Sequence, residues 1–437
     1  MMEPWMISSI VGLALLALLA TGMPVAFAMA GVSAVLLAVF FGPSTLYVLV
    51  GSAFKQLGLD ILIAIPLFVL MAAVLQTSGV ATMLYRAMRM WMGRMPGGLN
   101  IGTVVICAVL AALSGIGATA TTTMGVIALP EMKRWKYDIK MSVGAITAGG
   151  ALGPIIPPSV LMIIIGGYSQ VSVGKLFLGG ILPGLLIMTL WGLYIAARCF
   201  LNPELGPPVA KEELGTLREK VAILKYTLLP IVLAIAILFV IYAGICTPTE
   251  AAGFGAIGAI IISIIYKEFT IRKMYSALQM SMKVTSMIGW LIIGGGAFSS
   301  LVTLTGTGQL VLEAISTFSF GSSAIIVIML LIVIFLGMFI DPIAICMICI
   351  PVFLPVIRSL GLDTLWFMLL FSIAVVIGYI TPPFGANLFY MKGVAPPDMG
   401  MGTIYRGVMP YALLMMIALA LCIMFPAILV WLPGRLN

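Results

Sequence analysis

The sequence contains no histidine, and only 8% of its 437 residues are charged. The missing histidine removes the commonest proton shuttle and the commonest metal ligand in proteins. A soluble protein of this length would carry about 25% charged residues, so a soluble fold is excluded. The six cysteines are scattered, and Cys346-Met-Ile-Cys349 has no second ligand pair. We therefore interpret the cysteines as buried small hydrophobic residues, and we expect no cofactor.

Apolar residues dominate instead, at 62% of the chain. They occur in runs of about 20 residues, which is the length of a membrane-spanning helix and not of a barrel strand. The sequence therefore predicts an all-α polytopic membrane protein in contact with the lipid bilayer. The net charge of +8 comes from basic residues in a few loops. Such clusters are orientation signals in membrane proteins, so no nucleic-acid partner is expected.

Two of the apolar runs are interrupted by prolines. Ala-Leu-Gly-Pro-Ile-Ile-Pro-Pro-Ser, residues 151–159, interrupts the run 141–167, and residues 378–385 interrupt the run 365–390. Proline lacks an N–H and clashes with the preceding helical turn, so both helices must break. The freed carbonyls must lie inside protein or face a wet cavity. Two broken spans in corresponding positions are the sequence pointer to a secondary transporter.

Two further segments are predicted to enter the membrane and return as re-entrant hairpins. The first, 99–130, has a tip of small and hydroxylic residues from Ser114 to Thr123. The second, 323–357, has its tip from Gly337 to Pro342, and we expect its second arm to be broken by Pro351 and Pro355. Ser114 precedes Pro157 by 43 residues and Gly337 precedes Pro382 by 45. The halves therefore read as repeats.

The remaining elements complete each repeat. Plain spans are expected at 5–20, 24–42, 58–79, 176–197, 226–245, 249–266, 284–303 and 407–432, with a polar linker over 198–225. Basic residues 85–94 predict a surface helix on anionic lipid, and residues 305–321 predict a second surface helix. With the N-terminus and the C-terminus outside, 18 of the 22 Lys and Arg fall inside, as the positive-inside rule requires. The second hairpin then enters from the side opposite to the first, so the repeats are inverted.

Several motifs together resemble the large membrane subunit of the tripartite ATP-independent periplasmic (TRAP) transporters. The matching stretches are Ile65-Pro-Leu-Phe68 with Ser78-Gly79, Pro96-Gly-Gly98, Pro130-Glu-Met132 with Tyr137-Asp138, Leu152 to Ser159, Ile181-Leu-Pro-Gly184, Thr247-Pro-Thr-Glu250, Gly337 to Pro342, and Thr381-Pro-Pro-Phe-Gly385. They follow the family's order over most of the chain.

The resemblance implies an elevator-type carrier in a bacterial inner membrane, coupled to Na⁺ and moving a small organic acid. Its implied partners are a smaller four-helix membrane subunit and a periplasmic substrate-binding protein. The implied division is 1–84 scaffold, 85–225 first arm, hairpin, broken helix and linker, 226–304 scaffold, and 305–437 second arm, hairpin, broken helix and last helix. The two segments with hairpins would form the transport domain.

The resemblance also implies two Na⁺ sites, and Na⁺ is the only metal expected. The first would use Ser114, Gly117, Gly153, Ile156 and Pro157, and the second Gly337, Gly378, Thr381 and Phe384. Most of these groups would be backbone carbonyls, which suit a hard cation where a helix is unwound. Ile116 and Gly117 stand where the family more often has serines, so carbonyl coordination is expected at the first tip.

Four residues are candidates for contacting the substrate: Thr121, Ser159, Asp341 and Asn387. Each has a structural alternative or a second role. Asp341 is an ionisable group at the second tip, which favours function, but Asp followed by proline also starts a helix well. Thr121 can bond substrate or its own helix. Thr247-Pro-Thr-Glu250, by contrast, is interpreted as a capping box.

Other functional classes were compared with the carrier. A stand-alone dicarboxylate/Na⁺ symporter with a related elevator fold is the main alternative. An intramembrane enzyme would need a nucleophile–base pair or metal cluster at one depth, and none is apparent, so no enzyme is expected. A channel is disfavoured because broken helices in inverted halves suit alternating access.

Overall fold

The computed structural model describes residues 4–115, 117–307, 310 and 321–435. These residues form nineteen α-helices and no strand. The first half contains α1 (Pro4–Ala20), α2 (Val25–Phe41), α3 (Leu46–Leu57), α4 (Ala64–Thr77), α5 (Val80–Met92), α6 (Gly98–Ser114), α7 (Gly117–Arg134), α8 (Ile139–Gly150), α9 (Val160–Ser169) and α10 (Val173–Leu201). The second half contains α11 (Leu217–Tyr242), α12 (Pro248–Ile265), α13 (Ile271–Leu304), α14 (Ser322–Gly337), α15 (Pro342–Ser359), α16 (Thr364–Ile380), α17 (Ala386–Val394), α18 (Met401–Met424) and α19 (Ala427–Val430).

The helical, membrane-spanning class predicted from the sequence is confirmed. Within the described ranges, seven helical segments are long and apolar enough to cross a membrane: Asp60–Thr77, Val173–Leu201, Glu212–Tyr242, Pro248–Ile265, Ile271–Leu304, Pro342–Ser359 and Met401–Met424. The predicted capping box at the start of α12 is present, because Thr247 and Glu250 each accept the other's backbone N–H. The expected surface helix over 305–321 lies almost wholly outside the described residues.

Four boundary predictions were wrong. The span expected over 407–432 ends at Met424, and a short helix, α19, follows Phe425 and Pro426. The second arm of hairpin 2 is one continuous helix, α15, with Pro351 and Pro355 inside it. Each proline removes one backbone donor, but neighbouring helices sustain a helix around such a gap inside a membrane protein. The polar stretch before the expected span at 284–303 belongs to the same helix, α13, which is 34 residues long. The span expected from residue 226 begins at Leu217, where Thr216 and Glu219 form a second capping box.

The halves repeat the same elements at an offset of 225 residues. Pro157 in the first broken span corresponds to Pro382 in the second, and the start of α3 at Leu46 corresponds to the start of α13 at Ile271. The halves differ in this scaffold helix. The first copy is split into α3 and α4 around Gly58-Leu59-Asp60, whereas the second copy runs unbroken.

Packing divides the helices into two groups. One contains α2, α3, α4, α12 and α13, with α11 lying along α12. The other contains hairpin 1 (α6 and α7), hairpin 2 (α14 and α15), both broken helices, α10 and α18. Buried aromatic side chains hold the second group together: Trp191 Nε1 donates to the carbonyl of Tyr411 at 2.9 Å, and Tyr411 donates to the carbonyl of Met141 at 3.2 Å.

The two broken helices are interlocked. The first part of each packs on the hairpin of its own half: α8 on α6 and α7, and α16 on α14. The second part packs on the hairpin of the other half: α9 on α15, and α17 on α7. This reciprocal exchange is what a two-fold relation between the halves produces, and it brings both breaks to the centre of the second group.

Candidate functional site

The candidate site is built around the two proline breaks. Break 1 is residues 151–159, between α8 and α9, and break 2 is residues 381–385, between α16 and α17. In both, the peptide bond between the two successive prolines is cis. Their surroundings differ: all of break 1 is buried except the half-buried Ile156, whereas Pro383 and Phe384 of break 2 are exposed.

Break 1 is closed by its own hydrogen bonds. The Ser159 hydroxyl donates to the carbonyl of Pro154 at 2.9 Å and accepts the N–H of Met162 at 3.3 Å, so it caps α9. The tip of hairpin 1 lies against this backbone: a Cβ built on Gly115 would be 2.9 Å from the nitrogen of Val160. Gly115 also has φ of +63°, which glycine adopts most easily. Break 1 therefore packs as an internal element.

Break 2 gathers carbonyl oxygens around one point. A Cβ built on Gly385 would lie 2.7 Å from the carbonyl oxygen of Tyr379 and 2.8 Å from that of Thr381. The carbonyl oxygen of Gly378 would lie 3.0 Å away. Three oxygens converging beside an unwound helix end form the kind of group that suits a hard cation. The absent side chain of Gly385 leaves this point free.

The residues predicted for the second Na⁺ site come together at break 2. Gly337 at the end of α14 touches Gly378 in α16 so closely that a Cβ on Gly378 would be 2.6 Å from the Cα of Gly337. Thr381 begins the break, and its hydroxyl donates to the carbonyl of Ile377. Phe384 follows two residues after Pro382, with 53% of its surface exposed. No other residue type fits between the two helices at Gly337 and Gly378.

The residues predicted for the first Na⁺ site lie at the tip of hairpin 1 and in break 1, which pack against each other. Gly117, at the start of α7, faces the beginning of break 1, because a Cβ on it would lie 2.9 Å from the carbonyl oxygen of Gly150. Ser114 is buried at the end of α6. Ile156 and Pro157 instead line a separate apolar cavity, while Gly153 is buried within the break. These residues remain predicted ligands.

The four substrate candidates separate into two pairs. Ser159 and Asp341 are both used as helix caps: the Asp341 carboxylate accepts the N–H of Ile343 at 2.9 Å, so its predicted capping role is confirmed. Thr121 and Asn387 are fully buried and meet the last turn of α8 from opposite halves. Asn387 Nδ2 donates to the carbonyl of Thr147 at 2.6 Å, and Thr121 Oγ1 lies against Gly150.

Thr121 Oγ1 and Asn387 Oδ1 have no hydrogen-bond partner among the described residues. An unpaired polar atom in a buried position costs free energy, so such atoms call for an explanation. The neighbouring threonines are used differently: Thr122 donates back to the carbonyl of Ala118 at 2.9 Å, and Thr123 accepts from Gln76 of α4 at 3.0 Å. Two unpaired polar atoms, Thr121 Oγ1 and Asn387 Oδ1, therefore lie near the last turn of α8 inside the protein.

Sequence reasoning missed two residues at the site. Tyr405 of α18 donates its hydroxyl to the carbonyl of Pro383 at 2.6 Å, which steadies break 2 from outside the repeat motif. Gln76 joins the scaffold helix α4 to Thr123 of hairpin 1. Neither residue lies in a motif, and each meets its partner through the fold, so no local sequence signal identifies it.

Comparisons with known proteins agree with one another. Residues 13–428 match the model of the family described as tripartite ATP-independent periplasmic transporter, DctM component. The C4-dicarboxylate TRAP transporter large permease protein DctM of Pseudomonas aeruginosa is 31% identical over 410 residues, which cover 93% of this chain and 94% of that protein. The ectoine TRAP transporter large permease protein TeaC of Halomonas elongata is 29% identical over 372 residues, covering 85% and 86%.

Among solved structures, the crystal structure of the Alcanivorax borkumensis YdaH transporter resembles this fold. Its TM-score is 0.62 with 16% sequence identity, and the match covers 89% of each chain. At that identity the likeness concerns the fold alone.

Proposed function

The chain belongs to the DctM family of TRAP transporters, and on this basis we propose that it carries a small organic acid through a membrane with Na⁺ as the coupling ion. It is a multi-pass membrane protein, and its relatives are permease subunits and not enzymes. The names of these two relatives give different substrates, a C4-dicarboxylate for one and ectoine for the other. Family membership therefore leaves the substrate open.

Break 2 is the observation that carries the Na⁺ proposal. Three carbonyl oxygens surround the point beside Gly385, and a half-helix, α17, begins there. Unwound carbonyls coordinate the coupling ion in secondary transporters, and half-helix N-termini attract an anionic substrate. Break 2 therefore has carbonyl oxygens for a cation and a helix N-terminus for an anion within a few residues. We assign Gly337, Gly378, Thr381 and Phe384 to this site.

The proposed movement is a displacement of one packing group against the other. The hairpins, broken helices, α10 and α18 would move as the transport domain, and α2–α4 with α11–α13 would stay as the scaffold. The two groups meet mainly where α13 packs on α15 and α4 on α6, with smaller contacts of α4 on α9 and of α11 on α6 and α10, and this boundary is where the displacement would occur. The proposed setting is a bacterial inner membrane with both termini periplasmic.

The proposed partners are a small four-helix membrane subunit and a periplasmic substrate-binding protein. The family description is tripartite, and it names this chain's family as one component. A requirement for the binding protein also separates this proposal from a stand-alone dicarboxylate/Na⁺ symporter.

The test uses the large and small subunits reconstituted in proteoliposomes, with and without the binding protein, under an imposed Na⁺ or proton gradient. Gly385→Ala puts a methyl group at the point where the three carbonyls converge, so we expect it to abolish Na⁺-driven uptake of labelled acid. Gly393→Ala, on the same helix with nothing within 4 Å of the added carbon, is the matched control. Thermal unfolding checks that both variants fold. Uptake that follows the proton gradient alone would overturn the Na⁺ proposal.

A further inference from the structure

A large apolar cavity lies directly beside break 2. It has a volume of about 840 Å³, within the range of about 300–1,000 Å³ typical of small-molecule sites. Its walls come from the end of α1 and the α1–α2 turn, the end of α14 with the tip of hairpin 2, Phe384 of break 2 and Phe389 of α17. The cavity therefore lies at the boundary between the two packing groups, next to the proposed cation site.

Four phenylalanines form a row along one wall of this cavity. Phe335 and Phe339 have ring centroids 5.3 Å apart, and Phe339 lies 5.5 Å from Phe384. Phe384 and Phe389 are 6.4 Å apart with nearly parallel rings. The row runs from α14 across the hairpin tip and the break to α17. Each ring is about half exposed, between 47% and 59%, so a ligand in the cavity would find a continuous aromatic surface.

The cavity is lined by no charged side chain among the described residues. A carboxylate inside it without a partner would lose its hydration at a large cost in free energy. One carboxylate can be placed at the edge, because Gly385, the residue before α17, supplies no side-chain cap, and an uncapped helix N-terminus can bind an anion. At break 1 the equivalent helix start is closed by Ser159. A second carboxylate, deeper in the cavity, would have no partner.

We propose that the acid carried by this protein has one carboxylate on an apolar, ring-sized body, and that the phenylalanine cavity binds that body. This inference rests on the proposed function, since it names the substrate class of the same site. The carboxylate would lie at the start of α17 beside the cation, and the body would lie against Phe339, Phe384 and Phe389. Small dicarboxylates would bind poorly, because no charged side chain of the cavity can pair with their second carboxylate.

The test measures protection of a cysteine in the cavity wall. Phe339→Cys is placed in the reconstituted large and small subunits, and the rate of modification by a small maleimide is followed by mass spectrometry. Five of the six native cysteines are buried, so their background is low. Phe254→Cys is the matched control, because Phe254 on α12 is similarly exposed at 61% but lies outside the cavity. The probes are phenylacetate and succinate, each in Na⁺ and in K⁺ buffer.

We expect phenylacetate to slow modification of Phe339→Cys in Na⁺ but not in K⁺, succinate to have no effect, and Phe254→Cys to be unaffected by either acid. Phe339→Ala should weaken phenylacetate binding about tenfold, since it removes much of the apolar contact, whereas Phe254→Ala should not. Phe389→Cys provides a second position if Phe339→Cys fails to fold.

Three results would overturn the inference, and they have different meanings. Na⁺-dependent protection by succinate but not phenylacetate would leave the Na⁺-coupled carrier in place with a different substrate class. Slow modification that neither acid changes, with Na⁺-driven uptake intact, would show that a lipid acyl chain fills the cavity. Protection by phenylacetate that is equal in Na⁺ and K⁺, together with uptake indifferent to Na⁺, would overturn the proposed function as well.

Discussion

The two proline breaks have similar sequences but different surroundings. In break 1 the carbonyl of Pro154 is bonded by Ser159, the same hydroxyl caps α9, and the backbone is buried under the tip of hairpin 1. In break 2 the helix after the break has no side-chain cap, and Phe384 faces a cavity. The two breaks therefore differ in packing: break 1 is buried and capped by Ser159, whereas break 2 is partly exposed, and we propose that it binds a ligand and an ion.

The comparison extends to the contacts between hairpin and broken helix. Hairpin 2 meets its helix through glycine against glycine, so the backbones of α14 and α16 touch. Hairpin 1 meets its helix partly through Thr121 against Gly150, which places a hydroxyl at the interface. Hairpin 1 also approaches the broken helix closely through its backbone, at Gly115 and Gly117, so the two contacts differ in the added hydroxyl of Thr121. Three substitutions test this contrast, and two at the base of hairpin 1 give the smallest expected effects.

The largest effect is expected for Gly378→Ala. Its added methyl group would lie 2.6 Å from the Cα of Gly337, and because backbone cannot move aside cheaply, the helices must separate. We expect a loss of at least about 3 kcal/mol of stability together with loss of transport. Thermal unfolding of the purified complex measures it, with Gly393→Ala as control. A stable, active Gly378→Ala protein would show that the close packing is dispensable.

Ser159→Ala should destabilise break 1 and leave the cation site proposed at break 2 unchanged. The variant loses the cap of α9 and leaves the buried carbonyl of Pro154 without its partner, at a cost of about 2 kcal/mol. The Na⁺ concentration for half-maximal uptake should stay unchanged. Ser372→Ala is the matched control, because that buried hydroxyl bonds only the Leu369 carbonyl of its own helix. A weakened Na⁺ response with normal stability would contradict the assignment of the cation site to break 2.

Tyr405→Phe should change stability less than Ser159→Ala does, and it should change the Na⁺ response instead. It removes the 2.6 Å bond to the Pro383 carbonyl of break 2, worth about 1 kcal/mol. If that bond positions the carbonyl group of the open break, the Na⁺ concentration for half-maximal uptake rises by about fivefold while the melting temperature changes little. Tyr411→Phe, which removes a buried bond to Met141, should lower the melting temperature and leave the Na⁺ response alone. Identical behaviour of the two variants would contradict this.

The smallest effects are expected at the base of hairpin 1. Arg89 pairs with Glu131 at 3.0 Å, with side chains 20% and 30% exposed, and Arg134 pairs with Glu213 at 3.0 Å, with side chains 58% and 36% exposed. Arg89→Gln should cost about 1 kcal/mol and Arg134→Gln below about 0.5 kcal/mol, since solvent screens the second pair more. Chemical denaturation at low and high salt measures both. Equal losses of stability would mean that solvent exposure does not determine how much each ion pair stabilises the protein.

Much of the architecture was predictable because its signals are local. Three prolines in close succession, at 154, 157 and 158, end a helix, and Asp341 before Pro342 starts one. The capping box at Thr247 lies within four residues. The hairpin tips likewise follow from small residues between apolar arms. Each of these features depends on backbone chemistry within one turn.

Predictions failed where packing against neighbouring helices determines the backbone conformation. Pro351 and Pro355 have the local chemistry of a break, yet α15 continues through them because packing helices support it. The first scaffold copy splits at Gly58 and the second does not. Of the site residues, Gly337 and Gly378, which the motifs had assigned to one site, are in contact. The ligands predicted for the first site stay a prediction.

The sequence by itself determined the helical membrane class, the repeat, the two breaks and the tips of the hairpins, since each follows from composition or from residues adjacent in the chain. Only the tertiary structure decided which break is open. That choice depends on Ser159 reaching Pro154, on Tyr405 reaching Pro383, and on four phenylalanines that meet across two helices, a hairpin tip and break 2. The difference between two similar proline motifs arises from what packs around them, and this is settled by contacts between residues far apart in the chain.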